Sequence, residues 1–319
     1  KRVNKVLDLC AGSGIQGICA ANKANSVTLV EINHQTIPFI KFNILLNNVE
    51  DKVRIEEGSL YEPLGNETYD EIYTNPPFIA VPKGWNFPIA GNGGENGLDI
   101  INKIISGYRK HLNINGQAYM IGEAIGTEKE PFLIDELRKE LSNDFKITII
   151  LDFKFSIEAH LRRSSYVAIG MEKMRGDDAD NLFEKYKDWI KEVNAVFVYN
   201  YYLKVEKTKQ GQGSIEVIDM TTTWSKNDIP VLINDKDYQI QEFPQYYAIC
   251  RNGKVIAQLD EATLKFIKKI DGKMTIEEIY QNLCEENKNI VNYLPKVEAI
   301  QSLSEACGIL KVRNIIEKM

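Results

Sequence analysis

Strand-like and helix-like segments alternate through the first half of the chain, and this order most constrains its fold. The strand-like segments are short, apolar and rich in β-branched residues, whereas those between them have helical spacing, as in Leu98, Ile101 and Ile105. Strands joined by helices form a parallel sheet with helices on both faces, so we predict a seven-stranded, doubly wound α/β sheet. The last two strands, joined without a helix, are expected to be antiparallel neighbours. The predicted strands are Val3–Cys10, Val27–Ile32, Val53–Glu57, Tyr69–Asn75, Gln117–Glu123, Lys146–Phe153 and Ser165–Glu172.

A glycine-rich turn follows the first predicted strand. Residues 12–17 read Gly-Ser-Gly-Ile-Gln-Gly, and Glu31 stands at the end of the second strand. Taken alone, this pattern is that of a dinucleotide-binding turn, in which a pyrophosphate lies at the helix N-terminus. Asp8, at the end of the first strand, would repel a pyrophosphate, whereas it suits an ammonium group. Because open α/β sheets bind ligands at the carboxyl ends of their strands, we predict a ligand site here.

A second candidate site begins where the fourth predicted strand ends, at Asn75-Pro76-Pro77-Phe78. The two prolines prevent a helix and remove two backbone donors, so the Asn75 side chain and the Pro76 carbonyl are expected to form a rigid pair of acceptors. Such a pair suits a planar –NH₂ group, which offers two hydrogens. Phe78 adds a flat apolar face, with core packing as the alternative role of its ring.

Together these segments resemble the class I S-adenosylmethionine (SAM)-dependent methyltransferases that carry an Asn-Pro-Pro-(Phe/Tyr) motif. The first motif of that family is similar to residues 7–14, Leu-Asp-Leu-Cys-Ala-Gly-Ser-Gly, and the tetrapeptide at Asn75 falls at the family's acceptor position. The resemblance covers residues 3–173. It implies a Rossmann-like methyltransferase sheet and SAM as the cofactor.

The resemblance also implies a role for each candidate residue. Glu31 would accept hydrogen bonds from both ribose hydroxyls. Ser59 occupies a position near adenine at which many members of the family carry Asp, so this contact departs from the family pattern. The Asn75 side-chain oxygen and the Pro76 carbonyl would accept the two N–H bonds of the methyl acceptor. The implied cofactor-binding residues are Asp8, Gly12, Gly14, Glu31, Ser59, Leu60 and Asn75, and the implied catalytic residues are Asn75, Pro76 and Phe78.

The segment after the tetrapeptide bears on the substrate. Residues 79–96 form a long loop rich in Gly, Pro and Asn, which favours a lid or binding loop. Residues 93–99, Gly-Gly-Glu-Asn-Gly-Leu-Asp, resemble the Gly-Gly-x-x-Gly-Leu segment of protein-glutamine methyltransferases. This implies a protein or peptide substrate. A nucleic-acid base, a small molecule, and a catalytically idle SAM-binding scaffold remain as alternatives. Further along, Thr127 with Glu130 predicts a capping box.

Charge and composition restrict the class of protein. The 319 residues carry a net charge of −6, which disfavours duplex nucleic acid as the partner. No apolar run approaches the ~20 residues needed to span a bilayer. The five cysteines and three histidines are dispersed, so we predict no disulfide and no metal site, and a cytoplasmic location. The oligomeric state is left open. The start at Lys1, without a methionine, suggests a fragment whose N-terminal region is missing.

The rest of the chain is expected to form two further parts. We predict a methyltransferase domain over residues 1–174, a connecting α+β segment over 175–245, and a winged-helix-like domain over 246–319. The last part begins with a β-hairpin (Tyr247–Leu259, with Asn252-Gly253 at its turn), followed by three helices. It resembles the peptide-binding chaperone domain of pyrroloquinoline quinone biosynthesis, which implies peptide recognition by strand addition. A plain winged helix for dimerisation or nucleic acid remains as the alternative. The three helices are predicted over Glu261–Ile270, Ile276–Glu285 and Lys296–Cys307.

Overall fold

The computed structural model of the protein describes most of the chain. The chain divides into two compact units. The first comprises Lys1–Leu151 and Ser156–Asp219, and the second comprises Asp152–Phe155 and Met220–Met319. No helix in the described part is long and apolar enough to cross a membrane. The residues described are 3–83, 85, 87–158, 160–161, 164–165, 188–189, 191–221, 224–233, 238–244, 246–286, 303–304, 306–307, 310 and 315–318.

The first unit is built on a sheet that has eight strands among the residues described. The strands are β1 (Val3–Leu9), β2 (Ala24–Glu31), β3 (Val53–Glu57), β4 (Tyr69–Thr74), β5 (Leu112–Gly126), β6 (Phe145–Ser156), β7 (Phe197–Lys207) and β8 (Ser214–Asp219). Their order across the sheet is β3-β2-β1-β4-β5-β7-β6-β8. The pairs from β3 through to β5 are parallel, as is β6 with β8, whereas β5 and β7 are antiparallel. The predicted doubly wound α/β class is confirmed, with one strand more than predicted.

Helices cover both faces of this sheet because successive side chains of each strand point to opposite faces. The helices that pack on the sheet and whose bounds lie in the described part are α1 (Ile15–Ala20), α2 (Ile37–Leu46), α3 (Asp99–His111) and α4 (Leu133–Leu141), with short 3₁₀ turns at His34–Thr36 and Glu62–Leu64. Val6 of β1 belongs to the core beneath α1 and α2, whereas its neighbour Leu7 belongs to the core beneath α3 and α4.

The predicted last strand of the sheet needs correction. Ser165 is helical, and its hydroxyl donates to the Leu161 carbonyl at 2.8 Å, while residues 166–172 lie outside the described residues. Helical residues also stand between β6 and β7, so the two strands are not joined directly. The antiparallel strand is β7, which buries Tyr199, Tyr201 and Leu203 at alternate positions on the core face. Aromatic residues at alternate positions are typical of such a strand.

The predicted capping box at Thr127 is also wrong. The helix begins only at Leu133, and its cap residue makes no side-chain hydrogen bond. The Glu130 carboxylate instead accepts from Arg138 at 2.7 Å. Pro131 explains the shift, because the residue before a proline is disfavoured in the helical conformation.

The second unit combines a small sheet with helices. The predicted hairpin is confirmed, with Asn252 at φ 51° and Gly253 at φ 71° in its two-residue turn. Asp260 caps the helix that follows by accepting from the Thr263 N–H at 2.6 Å. An added α+β region is thus confirmed. Its elements are β9 (Pro230–Leu232), β10 (Tyr238–Phe243), β11 (Tyr246–Arg251), β12 (Lys254–Leu259), α5 (Glu261–Lys269), α6 (Ile276–Glu286) and β13 (Ile316–Lys318).

The boundary between the parts differs from the one drawn at residue 174. The first unit extends to Asp219 because β7 and β8, predicted as a connecting segment, hydrogen-bond into the sheet. Of the predicted helix over 296–307, the described residues 303–304 and 306–307 are helical, and the others lie outside the described residues.

Candidate functional site

A cavity of about 390 Å³ opens at the carboxyl ends of the central strands of the first unit. Five of the predicted site residues line it: Gly12, Glu31, Ser59, Leu60 and Asn75. The other predicted residues, Asp8, Gly14, Pro76 and Phe78, do not line it. The cavity is also lined by residues that sequence reasoning missed, including Cys10, Ser13, Asn33, Ile89, Ala90 and Asn92.

The glycine-rich turn forms one wall of the cavity. A Cβ added to Gly12 would meet no atom within 4 Å, so this backbone is bare toward open space. Gly14, with φ 80°, is the N-cap residue of α1 and is buried. A Cβ added to it would lie 3.1 Å from Leu29 Cδ1. A Cβ on Gly17 would lie only 2.1 Å from Leu29 Cδ2. The turn therefore presents bare backbone to the cavity while α1 packs closely on β2.

Glu31 is held in one orientation by backbone donors. Its Oε2 accepts from the Gly12 N–H at 2.7 Å, and its Oε1 accepts from the Asn33 N–H at 2.8 Å. The side chain is buried yet lines the cavity. A carboxylate offers about four lone-pair sites, so about two remain for a ligand's hydroxyl groups.

Asp8 lies beneath the turn. Its Oδ2 accepts from the Gly17 N–H at 2.8 Å, and its Oδ1 is buried without a hydrogen-bond partner. Burial, reinforced by the nearby Glu31 carboxylate, raises the pKa of Asp8 to about 7. Asp8 thus supports the start of α1 rather than the cavity wall, and its predicted contact with an ammonium group stays a prediction.

Cys10 is the residue that joins β1 to the turn. It has φ 57°, a left-handed conformation that is uncommon for a residue other than glycine. Burial, with Glu31 and Asp8 nearby, raises the pKa of the Cys10 thiol to about 12. A thiol with such a pKa is a poor nucleophile at neutral pH, and Cys10 contributes to the cavity as a lining residue.

Asn75 also lines the cavity and follows directly after β4. Its side chain is exposed to the cavity, and Pro77 lines the same cavity. Pro76 is buried, and no hydrogen bond described in this part of the chain uses its carbonyl. The Phe78 ring is half-buried against the core beneath α3 and α4, in agreement with the core-packing alternative. The catalytic roles of these residues stay predictions.

The long loop after Phe78 folds back on itself. The Ile79 N–H donates to the Gly91 carbonyl at 2.8 Å, and the Gly93 N–H donates to the Ile79 carbonyl at 2.9 Å. This arrangement brings Ile89 and Asn92 to the cavity wall. A binding loop agrees with this position, while a moving lid stays a prediction.

The N-terminal part of the chain is similar to known methyltransferases. Residues 1–143 match the family model of the methyltransferase small domain. A ribosomal protein uL3 glutamine methyltransferase of Bradyrhizobium diazoefficiens is 34% identical over 149 residues, which cover 44% of this chain and 45% of that protein. A release factor glutamine methyltransferase of Clostridium acetobutylicum is 34% identical over 165 residues, which cover 46% of this chain and 58% of that protein. The chain spans about half the length of the curated relatives it matches.

Among solved structures, a ribosomal protein L11 methylase from Lactobacillus delbrueckii subsp. bulgaricus covers 65% of this chain and 71% of its own, with a TM-score of 0.36 and 19% identity. The family match agrees with the methyltransferase resemblance seen in the sequence. The resemblance of the C-terminal part to a peptide chaperone stays a prediction.

Proposed function

We propose that this chain is a SAM-dependent N-methyltransferase that acts on an amide nitrogen of a protein or peptide. The observation that carries the proposal is the position of Asn75, which faces the same cavity as Glu31 and the bare Gly12 turn. The match of residues 1–143 to a methyltransferase family supports the reaction class. The two glutamine methyltransferase relatives support an amide of a protein as the acceptor.

The residues present fit SAM as the cofactor. Glu31 keeps lone pairs that can accept from the two ribose hydroxyls. Gly12 has no side chain, so the methionine part of SAM could lie close to its backbone. Ser59 and Leu60 line the cavity where adenine would lie. When bound, SAM supplies an electrophilic methyl group on a positively charged sulfur. The cavity volume of about 390 Å³ is within the usual range for a site of this kind.

The acceptor pair has the chemistry that an amide nitrogen requires. Such a nitrogen is a poor nucleophile because its lone pair is delocalised into the carbonyl. The Asn75 side-chain oxygen and the Pro76 carbonyl would each accept one N–H, which orients the nitrogen and favours its pyramidal form during attack. The nitrogen would become acidic only as the new C–N bond forms and the C–S bond of SAM breaks, with the electron pair of that bond left on sulfur. Its proton would then leave to solvent, so no side-chain base is needed beforehand.

We also propose that the second unit recognises the peptide substrate. Its three-stranded sheet has the order β10-β11-β12, so both outer strands are edges in the described part of the unit. An edge strand offers backbone groups to which an extended peptide can add as a further strand. This proposal rests on the sequence resemblance together with that sheet order.

Methyl transfer into a cell extract tests the substrate class. The protein is incubated with extract and SAM labelled in its methyl group, followed by protease or nuclease. We expect label that protease releases and nuclease leaves in place, and mass spectrometry should assign it to a glutamine or asparagine side chain. Label released by nuclease would instead support a nucleic-acid base as the acceptor. No label in either fraction would count against a macromolecular substrate.

A further inference from the structure

Two glycines lie directly against the main chain of Phe78. A Cβ on Gly97 would lie 2.4 Å from the Phe78 carbonyl oxygen, and a Cβ on Gly93 would lie 2.9 Å from the Phe78 carbonyl carbon. Both contacts are with backbone, so no side-chain rotation could relieve them. Gly97 also has φ +75°, which residues with a Cβ rarely adopt. A side chain at either position would therefore displace the Phe78 backbone.

Backbone hydrogen bonds join the same two segments. Ile79 donates to Gly91 and accepts from Gly93, at 2.8 and 2.9 Å. Val81 donates to the Gly94 carbonyl at 2.8 Å. The Asp99 N–H, at the start of α3, donates to the Gly93 carbonyl at 2.9 Å and so ties this loop to a helix of the core. We call residues 91–97, together with these bonds, the glycine clamp.

The tetrapeptide between β4 and the clamp has few bonds of its own. On its N-terminal side, Thr74 lies in the sheet and its hydroxyl donates to the Leu9 carbonyl at 3.0 Å. Pro76 and Pro77 have no N–H to donate. The direction of the Pro76 carbonyl is therefore determined by β4 on one side and by the clamp on the other.

We infer that the glycine clamp positions the acceptor pair, with Gly97 and Gly93 as positioning residues for methyl transfer. Its catalytic consequence rests on the proposed function, whereas its structural consequence does not. The clamp contacts the backbone after Pro77, and one of its residues, Asn92, lines the cavity. The main contacts for the cofactor would come from the Gly12 turn and Glu31 on other elements. Disturbing the clamp should therefore reduce turnover much more than SAM binding.

Gly211 supplies a matched control for Gly97. It has φ +79°, close to the +75° of Gly97, but a Cβ at Gly211 would meet nothing within 4 Å. Alanine at either position introduces nearly the same backbone strain. Only alanine at Gly97 adds a collision with the Phe78 backbone, so the difference between the two variants isolates the clamp.

Amide hydrogen exchange and methyl-transfer kinetics of Gly97→Ala and Gly211→Ala in the full chain test the inference. For Gly97→Ala we expect exchange at the Ile79, Val81 and Gly93 amides to rise at least ~10-fold, because their bonds cross the clamp. We expect kcat to fall ~10- to 100-fold, as for a reacting group displaced by about 1 Å. The SAM dissociation constant should change less than ~3-fold, and Gly211→Ala should match wild type in all three measurements.

A second variant keeps the test decisive if Gly97→Ala does not fold. Asn96→Ala removes only the hydrogen bond from the Leu98 N–H, 2.9 Å in length, and adds no bulk to the clamp. It should shift exchange and kcat in the same direction by ~3- to 10-fold. Wild-type exchange in both clamp variants, or equal effects in Gly97→Ala and Gly211→Ala, would overturn the inference. If wild type binds SAM but transfers no methyl group, the proposed function fails, and the exchange comparison still decides on the clamp.

Discussion

Glu31 and Asp8 are two buried carboxylates in different surroundings. Both end or nearly end a parallel strand, and this much was readable from the sequence. Asp8 shares its face of β1 with Val6, so its side chain points beneath α1. Glu31 is the last residue of β2 and reaches the cavity. The direction of each side chain follows from the strand register and from the way α1 packs on the sheet, and the motif itself specifies neither.

Glu31→Gln tests the cofactor site. The change keeps the shape of the side chain but removes its charge and one acceptor. We expect SAM to bind more weakly by roughly 1–3 kcal/mol, since ribose hydroxyls would lose charge-assisted partners. Calorimetry with SAM and with NAD measures this. Glu57→Gln, at the exposed end of β3, is the matched control and should bind SAM normally. Preferential binding of NAD by wild type would contradict the cofactor assignment.

Asp8→Asn tests the buried carboxyl. The pKa of Asp8 is about 7 in the folded protein against an ordinary 3.8, so folded protein holds a proton that the unfolded chain has released. Its contribution to stability is therefore complete below about pH 4 and is lost as the pH rises to about 7. Relative to the Asn variant, wild type should lose on the order of 2–4 kcal/mol across this range. Denaturant unfolding of both proteins at several pH values measures the difference, and parallel pH profiles would refute the assignment.

Cys10 and Asn33 line the cavity but were not predicted as site residues from the sequence. The motif predicts glycines and carboxylates, whereas these two residues reach the cavity through the backbone path of the turns after β1 and β2. The left-handed conformation of Cys10 could not be predicted from its residue type, because cysteine has no preference for this conformation. Ile89 is a similar case, since only the folding back of its loop brings it to the wall.

At the scale of elements, β7 shows why a domain boundary was misplaced. The polar residues near 174–180 indicate a linker, and local composition gives no sign that the chain returns to the sheet. The pairing of β7 with β5 joins residues about eighty positions apart, as in Met120 with Leu203. Such pairing depends on the whole sheet. In contrast, β3 and the C-terminal hairpin were predictable because local alternation and turn residues determine them.

Leu203→Ala tests whether β7 is part of the core. Leu203 is 3% exposed, so removing its side chain should leave a cavity and cost about 2–5 kcal/mol of unfolding free energy. Lys204→Ala, at the adjacent exposed position, should stay within about 0.5 kcal/mol of wild type. Denaturant unfolding of the full chain measures both. Similar small effects would mean that β7 is the connecting segment first predicted.

At the scale of the whole molecule, the proposed roles are divided between the two units. Truncation after Asp219 separates chemistry from peptide recognition, with SAM affinity and thermal unfolding as checks that the first unit remains folded. If the second unit recognises the substrate, truncation should raise KM for a long peptide at least ~10-fold, because strand addition supplies backbone hydrogen bonds. KM for a short acceptor peptide should stay unchanged. An equal change for both peptides would reduce the second unit to a structural role.

The central claim is that the cavity binds SAM and holds an amide nitrogen at Asn75. The most direct measurement compares SAM affinity and turnover in wild type and Asn75→Ala. We predict nearly unchanged SAM affinity and a fall in turnover of at least ~100-fold, as for the loss of one preorganised polar contact. This pattern is the reverse of that expected for Glu31→Gln, which weakens binding first. Normal turnover in Asn75→Ala would contradict the account, because the acceptor would then be held elsewhere.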